Sequence, residues 1–307
     1  MEFKHISVLL NESIDSLDIK ENGTYVDCTA GAGGHSVEIL KKLKGGRLIC
    51  LDQDPDAIET LNEKFGSDSR VTVVRTNFES IQSVLKENGI EKVDGILADL
   101  GVSSHQLDVA ERGFSFHNDA PLDMRMSQEG VSAADLVNNL SENELASIIL
   151  RYGEERFARN IAKNIVKARE EKRIETTLEL AEIVKYSIPA KMRRTGGHPA
   201  RKTFQALRIE VNKELERLEN SLDSMFDSLE KGGRLSIITF HSLEDRIVKQ
   251  KFASYCTGCT CPPQVPVCVC GKTPRGRLTF RPVSPTEEEL EANPRSRSAK
   301  LRSIEKL

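Results

Sequence analysis

Short apolar segments alternate with segments of helical periodicity over the first hundred residues. The apolar segments predict strands at 24–28, 47–52, 71–75 and 93–99, and the intervening segments predict helices at 36–43, 56–65 and 81–88. Strands that alternate with helices form right-handed β-α-β units, whose parallel sheet is covered by helices on both faces. The sequence therefore predicts an α/β fold with a Rossmann-like parallel sheet.

A glycine-rich turn follows the first predicted strand and opens the first helix. Gly31 and Gly33 let the backbone pass close to a ligand, and Asp52, at the end of the second strand, can accept hydrogen bonds from both hydroxyls of a ribose. Ser36 stands where a dinucleotide site has its third glycine, so a dinucleotide fits imperfectly. S-adenosylmethionine has no pyrophosphate and needs less of a bare helix N-terminus. The turn thus predicts an adenosine-containing cofactor.

Polar or aromatic residues follow the ends of four predicted strands: Asp27, Asp52, Asn77 with Phe78, and Asp99. Ligands of open parallel sheets bind beyond the carboxyl ends of the strands, so these residues predict a binding rim. Two interpretations of Asp99 stay open: it caps the following turn, or it orients a substrate amine or contacts the amino group of the cofactor.

The alternation stops after residue 101, and residues 101–199 are mostly helix-like. A long amphipathic helix is predicted at 200–229, and Gly232 and Gly233 end it before a buried strand at 234–240. We expect a discontinuous catalytic domain, residues 1–106 and 200–307, with an inserted helical substrate-recognition domain at 107–199.

The strongest basic cluster spans residues 191–202 and includes Arg193, Arg194, Arg201 and Lys202. The net charge of the chain is −3, so any contact with nucleic acid requires a local patch of this kind. The cluster is interrupted by glycines and adjoins the predicted rim, which favours phosphate binding over an ordinary solvated loop.

His241 follows the fifth predicted strand, and Ser242 with Asp245 resembles a capping box. His241 is therefore either a residue that starts a helix or an RNA-contacting residue at the rim. The chain has no apolar run that could span a bilayer and no signal-peptide core at its amino terminus, so we expect a cytoplasmic protein without membrane contact.

Five of the seven cysteines lie between Cys256 and Cys270. Paired thiolates at such short spacings suit tetrahedral zinc, with Cys259, Cys261, Cys268 and Cys270 as the candidate ligands. C-x-C pairs are less common in zinc sites than C-x2-C pairs, so structural zinc and free or redox-labile thiols remain alternatives.

Specific motifs are spread along most of the chain. They are HISVLL at 5–10, GGHS at 33–36, DQDP at 52–55, DGILADLGVSS at 94–104, QLD at 106–108, ERGFSF at 111–116, PLDMRM at 121–126, YGEERF at 152–157, TFQA at 203–206 and FHSLEDR at 240–246. With these motifs the chain closely resembles the bacterial small-subunit ribosomal RNA methyltransferases that act on cytidine N4. The cysteine-rich loop departs from that pattern.

The resemblance implies a Rossmann-like methyltransferase sheet that uses S-adenosylmethionine, with the decoding region of 16S ribosomal RNA in the small subunit as its target. It also implies a set of residues lining the cofactor site: Gly33, Gly34, His35, Asp52, Phe78, Asp99 and Gln106. The oligomeric state stays open, with a dimer as one alternative.

Cytosine N4 is a weak nucleophile because its lone pair is delocalised into the ring. Asp99 is placed to accept a hydrogen bond from this amine and align it. Methylation at C5 would instead need a cysteine nucleophile, and the turn after Asp99 contains none. Phe114, Phe116 and Met124 are candidate packing surfaces for an unstacked base. A nucleotide-dependent oxidoreductase and a non-catalytic RNA-binding assembly factor are the other functions considered.

Overall fold

The computed structural model of the protein describes residues 7–193, 197–261, 267 and 270–307. Its strands form one sheet in the order β3-β2-β1-β4-β5-β7-β6. The strands are β1 Thr24–Asp27, β2 Arg47–Asp52, β3 Val71–Arg75, β4 Val93–Asp99, β5 Leu229–Thr239, β6 Gly276–Leu278 and β7 Lys300–Lys306. β1 to β5 are parallel, whereas β7 runs antiparallel to both β5 and β6. The predicted α/β fold and its first four strands are confirmed.

The helices are α1 Leu10–Ser16, α2 Gly34–Lys42, α3 Pro55–Phe65, α4 Ile81–Glu87, α5 Ser104–Asp108, α6 Ala133–Asn139, α7 Glu142–Gly153, α8 Ala158–Glu171, α9 Thr177–Ser187, α10 Ala190–Arg193, α11 Arg201–Asn212, α12 Glu214–Ser228, α13 Ser242–Cys256 and α14 Glu287–Ala292. Within the described part of the chain, no helix is both long and apolar enough to cross a membrane.

The chain divides into two compact units, residues 1–101 with 215–307, and residues 102–214. In the first unit, neighbouring residues of β1 and of β4 enter opposite apolar clusters. Val26 and Ile96 pack with Phe226 of α12 on one face, whereas Tyr25 and Leu97 pack on the other. Because strand side chains alternate with a period of two, this division covers both faces of the sheet with helices.

The second unit has its own apolar cluster, which includes Leu145, Ile149, Ile161, Phe204 and Leu207. α7 packs against both α8 and α11 in this unit. It is helical, as expected for the segment after residue 101. Its bounds differ from those expected, 107–199, at both ends.

The helical unit ends at residue 214 and not at the expected residue 199, and this difference has a local cause. The single helix predicted at 200–229 is broken, because Lys213 takes a left-handed conformation at φ 52° between α11 and α12. Phe204 and Leu207 of α11 pack in the helical unit, whereas Leu218 and Leu222 of α12 pack against the sheet. The amphipathic pattern continues across the break, so periodicity alone predicts one helix.

Candidate functional site

The turn after β1 is crowded by the protein itself. Gly31 and Gly33 have φ values of 51° and 78°, in the left-handed region. A Cβ at Gly33 would lie 2.9 Å from the Phe65 ring, and a Cβ at Gly34 would lie 1.9 Å from Ser7 Oγ. These contacts are closer than a side chain tolerates, so internal packing requires glycine here in addition to any ligand's approach.

Asp52 ends β2 and holds this turn. Its Oδ2 accepts the N–H of Gly31 at 2.8 Å, and its Oδ1 accepts the N–H of Asp54 at 2.9 Å. Burial raises the pKa of Asp52 to about 6, although both backbone hydrogen bonds favour the charged form. Each carboxylate oxygen has a second lone pair, so the group can still accept a hydroxyl from a ligand.

Asp99 ends β4 and has a buried oxygen without a hydrogen-bond partner among the described residues, Oδ1. The Asp99 side chain is nevertheless 24% exposed, and its backbone N–H donates to Thr29 Oγ1 at 2.6 Å. Burial, then the charges of Asp27 and Glu244, hold the pKa of Asp99 well above its usual range. A buried acceptor left without a donor is costly, so this carboxyl is suited to receive a hydrogen bond from a ligand.

Asp27, at the end of β1, adds a third carboxyl beside the other two. Its Oδ2 accepts from Ser36 Oγ at 2.6 Å and its Oδ1 accepts from the Thr29 N–H at 3.3 Å. Burial raises the pKa of Asp27 to about 6. Lys64 Nζ brings one positive charge to the turn and donates to the Ala32 carbonyl. Three interacting carboxyls on adjacent strands favour a cationic ligand over a pyrophosphate.

His35 is buried in the first turn of α2. Its Nε2 lies 3.1 Å from the Val8 carbonyl oxygen, and its Nδ1 lies 3.9 Å from Asp99 Oδ2. The second distance is too long for a hydrogen bond and within reach of an ion pair. His35 therefore connects the segment before α1 to the rim.

Phe78 lies at the start of a 3₁₀ turn, Phe78–Ser80, which Asn77 caps by accepting the Glu79 N–H. The Phe78 ring packs in the apolar cluster that contains Val26, so packing in the core accounts for this residue. Its predicted role in lining a cofactor site stays a prediction.

His241 is the N-cap of α13, where its Nδ1 accepts the Glu244 N–H at 3.4 Å. Glu244 Oε2 accepts in return from the backbone N–H of Phe240 at 2.8 Å and of His241 at 3.3 Å. The capping box proposed for Ser242 and Asp245 was wrong, because Asp245 instead pairs with Arg302, at 2.7 Å. The structure thus gives His241 a helix-starting role, and its contact with RNA stays a prediction.

Two residues that affect Asp99, Thr29 and Glu244, were not predicted from the sequence. Thr29 lies two residues after the end of β1 and accepts a hydrogen bond from the Asp99 N–H. Glu244 is 2% exposed, and its charge helps to raise the pKa of Asp99. The signal for Glu244 was available in its motif, since a glutamate at the third helical position completes a capping box.

Gln106 belongs to the helical unit, where it completes a capping box with Ser103. Its Oε1 accepts the Ser103 N–H at 3.1 Å, and its own N–H donates to Ser103 Oγ at 3.2 Å. Helix capping accounts for the hydrogen bonds of Gln106 with Ser103. Its predicted contact with the cofactor stays a prediction.

The described part of the basic cluster also lies in the helical unit. Arg193 Nε donates to the Ile188 carbonyl at 2.7 Å, and its guanidinium lies 5.0 Å from the centroid of the exposed Tyr186 ring. Arg201 and Lys202 are exposed in the first turn of α11. Arg194 lies outside the described residues.

Phe114 and Met124, proposed as packing surfaces for a base, are buried in the apolar cluster of the helical unit. Phe116 is only partly buried, and its ring stacks on His198 with centroids 4.5 Å apart. Core packing therefore accounts for the first two residues, and Phe116 packs against the same cluster while remaining partly buried.

Three of the four predicted zinc ligands come together. The Sγ atoms of Cys259, Cys261 and Cys270 lie within 4.8 Å of one another. Cys268 lies outside the described residues.

Residues 2–307 match the sequence profile of the MraW methylase family. A protein of Lachnospira eligens named ribosomal RNA small subunit methyltransferase H is 59% identical over 311 residues, which cover 100% of this chain and 99% of the relative. A Clostridium botulinum protein of the same name is 58% identical over 310 residues, which cover 100% of both chains.

Among solved structures, an rRNA methylase from Streptococcus thermophilus is similar, with 11% identity, a TM-score of 0.45 and 99% of each chain covered. At that TM-score we take the fold from the strand order and not from this likeness. The family match and both relatives confirm the resemblance inferred from the motifs. Because the match extends over nearly the full length, the chain belongs to the MraW methylase family.

Proposed function

We propose that this protein transfers the methyl group of S-adenosylmethionine to the N4 amine of a cytidine in the decoding region of 16S ribosomal RNA. Membership of a methylase family supports the reaction class, and both relatives are named for the ribosomal RNA of the small subunit. The single observation that carries the site assignment is the Asp99 carboxyl, whose buried Oδ1 has no partner among the described residues.

The rim of the sheet fits the proposed cofactor. When bound, S-adenosylmethionine supplies an electrophilic methyl group on a cationic sulfonium. The carboxyls of Asp27, Asp52 and Asp99 stabilise positive charge, and Asp52 has acceptor capacity left for ribose hydroxyls. Gly33, Gly34 and His35 shape the turn beside them.

Asp99 acts on the amine of the substrate. Its Oδ1 accepts a hydrogen bond from an N4 hydrogen, which fixes the direction of the nitrogen lone pair. Because the pKa of Asp99 is well above its usual range, the carboxylate is also a stronger base and can take the proton that the methylated nitrogen must release.

The nearby cysteines support an amine as the acceptor. Cys28 and Cys50 are buried, and burial holds the pKa of Cys28 well above its usual range and raises that of Cys50 to about 12. Both groups remain thiols at neutral pH and make poor nucleophiles. Neither Cys28 nor Cys50 is therefore suited to attack C5 through a cysteine adduct.

We assign substrate recognition to the helical unit. Arg193, Arg201 and Lys202 place positive charge there, and the exposed Tyr186 ring lies beside Arg193. Positive charge next to an exposed aromatic ring suits single-stranded RNA, where phosphates pair with cations and bases stack on rings. Arg194 and His241 complete the proposed RNA-binding set.

The proposal is tested by incubating the protein with S-adenosylmethionine and small ribosomal subunits that lack the modification, followed by mass spectrometry of the digested RNA. N4-methylcytidine is the expected product. A methyl group on C5, or thermal stabilisation by NAD but not by S-adenosylmethionine, would contradict it.

A further inference from the structure

The loop between α13 and β6 brings three thiols together away from the strand ends of the rim. Cys259 Sγ and Cys270 Sγ are 3.7 Å apart, and Cys261 Sγ lies within 4.8 Å of both. Eleven positions separate Cys259 from Cys270 in sequence, so the contact between their sulfurs is not a local one.

The distance between the first two sulfurs fits a shared metal ion. Four Zn–S bonds of about 2.3 Å in a regular tetrahedron place the sulfurs about 3.8 Å apart. Bonded sulfurs of a disulfide are about 2.05 Å apart. The 3.7 Å between Cys259 and Cys270 therefore matches ligands of one ion.

Two backbone N–H groups form hydrogen bonds in this loop, one to a thiol sulfur and one at the base of the loop. The Cys261 N–H donates to Cys259 Sγ at 3.4 Å, which stabilises negative charge on that sulfur. At the base of the loop, the Arg275 N–H donates to the Tyr255 carbonyl at 2.8 Å. The loop ends are thus held together, while the described loop residues 257–261 and 270–275 form no helix or strand that would fix the thiols.

We propose that Cys259, Cys261 and Cys270 bind one zinc ion, which cross-links this loop. Each thiol gives its proton to solvent as its sulfur forms a bond to zinc, so binding tightens as pH rises. The ion compensates the negative charge of the converging thiolates. The site has a structural role and is independent of methyl transfer, since it contains no residue of the rim.

The test is elemental analysis of the purified full-length protein by plasma mass spectrometry. We expect about one zinc per chain, and a loss of most of it in Cys259→Ser and in Cys270→Ser. Cys256→Ser is the matched control, because Cys256 comes from the same region but packs against the apolar cluster of the sheet. Wild-type protein without zinc, or equal loss in the control, would overturn the proposal.

A measurement on the wild-type protein tests the metal site even if the serine variants do not fold. Cobalt added to the metal-free protein should produce the thiolate-to-metal charge-transfer and strong visible bands of a tetrahedral site. Only the weak bands of hydrated cobalt, or a Cys259–Cys270 disulfide in the peptide map of protein purified with zinc, would contradict a metal site.

Discussion

At the scale of single residues, Asp52 joins the glycine turn to the proposed ribose site. Asp52→Ala removes the side-chain acceptor of two backbone N–H groups and the proposed hydroxyl contacts, each hydrogen bond worth about 1.5–3 kcal/mol for a charged acceptor. We expect at least tenfold weaker binding of S-adenosylmethionine by calorimetry, together with a lower melting temperature. Asp15→Ala is the control, since Asp15 is exposed on α1. Unchanged affinity in the Asp52 variant would remove this residue from the site.

The role of Asp99 in methyl transfer can be tested by comparing its substitution with that of Asp94, a second aspartate on β4. Asp99→Asn keeps the shape but removes the charged acceptor, so single-turnover methyl transfer should slow by about 10²–10⁴-fold. The melting temperature should hold or rise, because the substitution also removes a buried group with a strongly raised pKa.

Asp94→Asn is the matched control for that variant. Asp94 lies near the start of β4, where it accepts from Lys20 Nζ at 2.8 Å and from the Thr24 N–H at 2.9 Å. This variant should lose stability and keep the rate. If Asp99→Asn kept the wild-type rate, only a role in cofactor contact or turn capping would remain for Asp99.

At the scale of elements, the first four strands could be predicted because each is a short apolar run followed by a polar residue. β7 could not be predicted in this way, because its apolar residues Leu301 and Ile304 alternate irregularly with charged residues. The positions of Asp52 and Asp99 at the ends of β2 and β4 could be predicted, and their roles in the site stay predictions. The hydrogen bond between Thr29 and Asp99, and the effect of the Glu244 charge on the pKa of Asp99, could not be predicted, because they depend on β4 lying between β1 and β5.

The start of α2 allows a double-variant test. In Gly34→Ala the new methyl group would lie 1.9 Å from Ser7 Oγ, and such overpacking costs roughly 1–3 kcal/mol. We expect a lower melting temperature and weaker cofactor binding. Adding Ser7→Ala leaves the nearest contact at 3.2 Å, to the Ser7 Cβ, so it should restore most of both losses. Failure of that rescue would show that the backbone, and not Ser7, needs glycine here.

At the scale of the whole molecule, the carboxyls of the rim couple stability to pH. The pKa values of Asp27 and Asp52 are raised to about 6, so the folded state holds their protons more tightly than the unfolded state. Their contribution to the free energy of unfolding is full at low pH and falls as the pH rises from about 4 to 6.

A cationic ligand binds more tightly to ionised carboxyls. Its affinity therefore changes with pH in the opposite direction to the stability of the unliganded protein. Affinity for S-adenosylmethionine should therefore increase by about tenfold between pH 5 and 7, because the ionised fraction of a carboxyl with a pKa of about 6 rises about tenfold over that range. Asp52→Asn should flatten the dependence when calorimetry is repeated at both values. A wild-type affinity that does not change with pH would argue against ionised carboxyls at the cofactor.

Binding of RNA is the remaining property of the whole molecule, because an acidic protein must attract phosphates through a local patch. Each phosphate contact with a single strand contributes about 0.7 to the slope of log affinity against log salt. Replacing Arg201 and Lys202 with alanine should weaken RNA binding and flatten that slope, with cofactor affinity unchanged. Lys163 and Lys167 are exposed on α8 of the same unit, so their double alanine variant removes equal charge as a control. If both double variants flattened the slope equally, general charge would explain the effect, and the basic cluster would be an ordinary solvated surface.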